Sequence, residues 1–147
     1  MKKSDPPIII IKTFPTSIDK VWAAITNLPQ MQQWYFDNLP SFEPRVGFET
    51  QFSIENEGRT FTHLWKVTEV IPMKKISYNW NYLEYDGDGY VTFELSTVEA
   101  GTQLRLTNVI TKDYPSDIPE FKRESGIGGW EYLLGTNLTA YLLSSDD

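Results

Sequence analysis

From Phe42 to Ile110 the apolar residues follow a period of two, with Leu64 the exception, and this alternation constrains the fold more than any other feature of the chain. Phe48, Phe52 and Ile54 alternate with Glu49, Gln51, Ser53 and Glu55, and Phe61, His63, Trp65 and Val67 alternate with Thr60, Thr62, Lys66 and Thr68. Three more runs repeat the pattern: Ile76, Tyr78, Trp80 and Tyr82; Val91, Phe93 and Leu95; and Leu104, Leu106, Asn108 and Ile110. A period of two puts each set on one face of a strand, so the chain predicts an antiparallel meander with one aromatic face and one wet face. Turn residues at Asn56-Glu57-Gly58, Pro72, Asp86-Gly87-Asp88-Gly89 and Ala100-Gly101 separate the five strands. A proline-flanked stretch from Phe42 to Val46 is a candidate edge segment.

Upstream, the β-branched run Ile8 to Phe14 between Pro6-Pro7 and Pro15 reads as a first strand, for about seven in all. Thr16 with Asp19 three residues on suggests a capping box, and Ile18, Val21, Trp22 and Ile25 follow at helical spacing. Asn27-Leu28-Pro29 ends that helix, and Gln30 to Tyr35 forms a second short one carrying Met31, Trp34 and Tyr35.

Downstream, Asp117 is placed to cap a long terminal helix with Pro119 in its first turn. Its stripe is Ile127, Trp130, Leu134, Asn137/Leu138 and Tyr141, ending near Leu143. Gly126, Gly128, Gly129 and Gly135 each cost about 1 kcal/mol against Ala inside a helix, which predicts a kink or late start near 126–129, or close approach to the sheet. The acidic end, Ser144 to Asp147, reads as a solvated tail. The aromatic sheet face is the one surface large enough to take the helix stripe, so the class is α+β: a curved antiparallel sheet round a long C-terminal helix. Such a sheet can enclose an apolar space with a few placed polar groups.

The 147 residues suit one domain, 1–147. Thirteen Lys and Arg against twenty Asp and Glu give a net charge of −7, a poor surface for nucleic acid or anionic lipid. Ser4-Asp5-Pro6-Pro7 breaks any leader after Met1-Lys2-Lys3, and no apolar run nears the ~20 residues of a spanning helix, so a soluble cytoplasmic protein is expected. With no cysteine and one histidine, the chain carries no thiol nucleophile, no disulfide and no donor set for a transition metal. Asp86-Gly87-Asp88-Gly89 lacks the remaining ligands of a calcium loop and reads as a hairpin turn. No metal or cofactor is expected.

Certain local motifs are similar to those of a known family. These are Pro15-Thr16-Ser17-Ile18-Asp19-Lys20-Val21-Trp22 after the opening strand, Met31-Gln32-Gln33-Trp34-Tyr35, the prolines before strand two, and Gly128-Gly129-Trp130 with Leu133-Leu134 and Leu138. Together they resemble the activator-of-heat-shock-protein-90-ATPase homologue-like family, within the START-like (SRPBCC, helix-grip) superfamily of hydrophobic-ligand binders. The resemblance covers nearly the whole chain. It implies a β-α-α-β6-α helix-grip fold with an internal cavity, and a chaperone as one class of partner. It leaves activity open, because the superfamily holds lipid carriers, cyclases and co-chaperone domains on one scaffold. Eukaryotic activators carry a further N-terminal domain, which is not expected within these 147 residues.

A helix-grip cavity would be lined by Trp34, Phe52, Trp65, Tyr78, Trp80, Tyr82, Phe93, Trp130 and Leu134, rings and alkyl groups suited to a small apolar or aromatic molecule such as a lipid, polyketide or polyphenol. Core packing predicts the same residues. Asn108 and Asn137 supply polar anchors for a ligand, or bond to each other or to backbone. His63 is either a core histidine with one hydrogen bond or, in a cyclase-like enzyme, a general acid–base. No Ser/His/Asp or Cys/His arrangement accompanies it. The leading expectation is therefore a binding protein without a catalytic residue, with a co-chaperone-like module and a cyclase-like enzyme as alternatives.

Overall fold

The structure is a computed structural model and describes residues 1–144; residues 145–147 of the acidic tail lie outside it. Strands β1 (Ile8–Phe14), β2 (Glu49–Asn56), β3 (Arg59–Ile71), β4 (Lys75–Tyr82), β5 (Asp88–Val98) and β6 (Gly101–Lys112) form one antiparallel sheet in the order β1-β6-β5-β4-β3-β2. The meander is as expected, but the strand count is six rather than about seven. The stretch from Phe42 to Val46 joins no ladder, because prolines 40 and 44 bracket its start and deny it donors. Phe42 instead turns its ring inward onto the core.

The turns follow from local chemistry. Glu57 and Gly58, both at positive φ, make the two-residue connection between β2 and β3 that matches strand twist. Irregular register between Val67 and Glu69 in β3, and between Asp88 and Gly89 in β5, adds the local bending a curved sheet needs. Asp88 accepts from the side-chain amides of Asn79 and Asn81, each at 3.1 Å, so the acidic turn is anchored onto β4.

Helices α1 (Ile18–Thr26) and α2 (Leu28–Trp34) lie between β1 and β2 as expected. The capping box of Thr16 and Asp19 does not form: Ser17 holds the cap position without a side-chain bond, and Thr16 gives its carbonyl to the Thr102 hydroxyl. Asn27 closes α1 and accepts from Gln30 N to start α2.

The terminal helix runs without interruption from Arg123 to Ser144, in three parts: α3 (Arg123–Trp130), a π-helical stretch (Glu131–Leu138) and α4 (Thr139–Ser144). Asp117 caps nothing; Pro119–Phe121 form a separate 3₁₀ turn, and the helix starts later than expected. Nor is there a break at 126–129. The irregularity falls in the π stretch, which explains the buried stripe Trp130, Leu134, Leu138 and Leu142. Four residues overshoot an α-helical turn by about 40°, so an i, i+4 series would drift round an α-helix. The wider turns of a π segment return it to one face.

That face meets the aromatic side of the sheet. Trp130 lies 5.6 Å from Trp80 and 6.0 Å from Phe93, ring centre to ring centre. Trp65, Tyr78 and Phe93 are almost wholly buried with the helix stripe in the main core. A second, smaller cluster of Phe61, Tyr114 and Phe121 sits under the 3₁₀ turn. No described helix is long and apolar enough to cross a membrane.

Candidate functional site

Between α3 and the sheet lies a cavity of about 180 Å³. Trp80 and Tyr82 reach it from β4, and Asn108 and Ile110 from β6, because all four stand on the inward face that alternation assigns. The helix contributes Gly126, Gly129, Trp130 and Leu133. Phe36, just past α2, forms part of the wall, while Met1, Tyr114, Glu120 and Ser125 complete the rim.

The polar groups of the wall are tied to one another. Trp130 Nε1 donates to Asn108 Oδ1 at 3.3 Å, and Asn108 Nδ2 donates to the Tyr90 carbonyl at 3.2 Å. Trp80 Nε1 donates to the Tyr82 hydroxyl oxygen at 2.9 Å, and the Tyr114 hydroxyl donates to the Trp80 carbonyl at 2.9 Å. Glu120 receives the Arg59 guanidinium through Nε and Nη2, each at 2.9 Å, and the Asn56 amide at 2.6 Å. The hydrogen bonds from Arg59 hold the Glu120 carboxyl below the usual carboxylate range. They also fasten the β2–β3 hairpin to the 3₁₀ turn. Burial pushes the Tyr82 hydroxyl up to about 12 and raises Tyr114 as well, so both stay protonated at neutral pH.

Of the residues expected to bind a ligand, the cavity gathers Trp80, Tyr82, Asn108 and Trp130. Trp34, Phe52, Trp65, Tyr78, Phe93 and Leu134 sit in the surrounding core, with the aromatic ring of Tyr35 at their centre. Tyr35 stacks on Trp34 at 4.5 Å, and its hydroxyl meets that of Tyr78 at 2.8 Å. Burial raises both hydroxyls well above their ordinary value. Asn137 donates to the Trp34 carbonyl at 3.1 Å, fixing α2 to the π stretch rather than facing the cavity. Trp65 Nε1 is buried and, among the described residues, has no hydrogen-bond partner.

His63 stands one layer behind the cavity wall. Its ring stacks on Phe52 at 4.7 Å, and its Nδ1 lies 3.0 Å from the Phe61 carbonyl. Burial pulls its pKa down to about 4, so the ring is neutral at pH 7. A neutral ring beside a carbonyl donates from Nδ1.

Phe36, Tyr114 and Met1 were not singled out from the sequence. Phe36 follows the end of α2, where no periodicity marks an inward residue, yet its ring touches those of Phe52, His63, Trp65 and Trp80. Met1 comes in because Lys3 N bonds Asp113 and Arg123 bonds the Pro6 carbonyl, laying the first residues beside 113–123. Gly126 permits this: a Cβ there would sit 3.0 Å from Met1 Sδ and 3.3 Å from Ile8 Cδ1.

Comparison with known proteins agrees with the fold. The family model described as "Activator of Hsp90 ATPase homolog 1-like protein" matches residues 15–143. No curated protein matches the chain. Among solved structures, a protein from Mesorhizobium loti is 26% identical with a TM-score of 0.72, the alignment covering 97% of this chain and all of that one. The Aha1 dimer from Colwellia psychrerythraea is 19% identical with a TM-score of 0.69, covering 97% of this chain and 100% of that chain. DynU16, a protein in the dynemicin biosynthetic locus, is 21% identical with a TM-score of 0.75, covering 95% of this chain but only 48% of DynU16. The last two likenesses are of fold alone.

Proposed function

This chain belongs to the Activator of Hsp90 ATPase homolog 1-like family, and we propose that residues 1–147 act as a single START-like unit that binds one small apolar or aromatic molecule in the cavity between α3 and the sheet. The cavity itself carries this reading. Its volume is about 180 Å³; an apolar cavity of about 150 Å³ takes a benzene ring. One ring, or a small fused pair, therefore fits better than a sterol, a long acyl chain or a polyketide. Trp80, Tyr82, Trp130 and Phe36 offer ring faces and edges to a flat ligand, and Asn108 supplies an amide.

Native mass spectrometry and a thermal-shift panel of one- and two-ring aromatics test the proposal. A bound molecule of that size and a raised melting temperature are expected. No retained mass and no shift across the panel would overturn it.

A second reading follows from the family description, which names an activator of the Hsp90 ATPase. A co-chaperone-like module would act through its surface and leave the cavity unused. Chaperone ATPase rates with and without this protein decide it, and no stimulation at saturating concentration removes it.

A further inference from the structure

We infer that the cavity selects ligands bearing a hydrogen-bond acceptor, such as a ketone, an ether or a ring nitrogen, which receives the hydroxyl proton of Tyr82. This rests on the cavity reading above and deepens it.

The argument is an inventory of donors and acceptors around one space. Tyr82 accepts from Trp80 Nε1 with its oxygen, but among the described residues its own proton has no acceptor. Tyr114 spends its proton on the Trp80 carbonyl. Trp130 spends its N–H on Asn108, and Asn108 spends one amide hydrogen on Tyr90, leaving the second free. Ser125 donates to the Pro119 carbonyl and is exposed, so water meets its remaining need. The side-chain oxygens of Asn108 and Glu120 already receive bonds. Each side-chain oxygen of the wall thus takes part in at least one hydrogen bond and keeps only further lone pairs, whereas two hydrogens, the Tyr82 hydroxyl proton and one Asn108 amide hydrogen, have no acceptor among the described residues. Both residues are half-buried, so a ligand that fills the cavity shuts water away from these hydrogens, and a donor left unpaired is then costly; a molecule that brings an acceptor gains where a pure hydrocarbon does not. The partnerless Trp65 Nε1, a layer behind, shows the same donor excess.

Two charged groups stand at the rim, the Glu120 carboxylate, whose Arg59 partner is already engaged, and the Met1 ammonium, which donates to the Phe121 carbonyl; charge therefore does not decide between ligands, and the unpaired hydrogens do.

The test compares acetophenone with α-methylstyrene, its isostere in which C=CH₂ replaces C=O, binding to the wild type and to Tyr82→Phe by calorimetry. The ratio of their affinities is expected to fall about tenfold in favour of the hydrocarbon in Tyr82→Phe. An infrared carbonyl stretch of ¹³C-labelled acetophenone bound to the wild type gives a second measure that needs no variant. It is expected at the frequency of a hydrogen-bonded ketone rather than that seen in hexane. Binding of both probes with an unchanged ratio, or a hexane-like stretch, overturns the inference and leaves the cavity reading standing. If neither probe binds the wild type, the cavity reading fails and this inference with it.

Discussion

Trp130 Nε1, on the terminal helix, donates to Asn108 Oδ1, on β6, at 3.3 Å, and this bond joins the two layers across the edge of the cavity. Trp130 is 6% exposed, so few waters can replace a lost partner. Asn108→Leu removes the acceptor and strands the indole N–H, at a cost of about 1–3 kcal/mol. Urea unfolding monitored by tryptophan fluorescence reads this as a lower midpoint with an unchanged slope. An unchanged midpoint would mean the bond contributes nothing to holding helix and sheet together.

Tyr35 and Tyr78 share one hydrogen bond in a dry interior. Each single change to Phe leaves the other hydroxyl without its partner and is expected to cost about 1–2 kcal/mol. Removing both hydroxyls should cost less than the sum of the two, because the second removal strands nothing. Strict additivity in the double-mutant cycle would contradict the pairing.

His63 makes stability depend on pH in a defined window. Its native pKa is about 4, against an ordinary value of 6.5, because burial disfavours the charged ring. Above pH 6.5 both folded and unfolded chains hold it neutral, and its full contribution is present. As the pH falls from 6.5 toward 4 the unfolded chain takes up the proton first, and roughly 3 kcal/mol is lost. His63→Phe keeps a ring against Phe52 and should flatten the fall in melting temperature across that window. A slope as steep as the wild type's would assign the loss to other groups.

The alternation from Phe48 to Ile110 made the sheet and its buried face legible, since one wet side leaves a period of two in plain view. Trp80, Tyr82, Asn108 and Trp130 could be placed at the cavity because strand parity and helix stripe converge there. Phe36 could not, since a residue just beyond a helix end obeys no period. Met1 and Tyr114 come near only through contacts between chain ends far apart in sequence. The helix start was misplaced because Asp117 and Pro119 look like an N-terminus, yet Pro119 begins a 3₁₀ turn instead. The π stretch did leave a trace, in apolar residues spaced four apart rather than alternating three and four.

Gly129 gives the most direct access to the central claim that the space between helix and sheet is a binding site. It lines the cavity, and a Cβ placed on it meets no atom within 4 Å. Gly129→Leu should fold with stability equal to or up to about 1 kcal/mol above the wild type, since Gly is the poorer helix former. A leucine side chain at this lining position takes up part of the space, so acetophenone affinity measured by calorimetry is expected to drop at least about tenfold. A folded Gly129→Leu protein that binds acetophenone as tightly as the wild type would contradict the account.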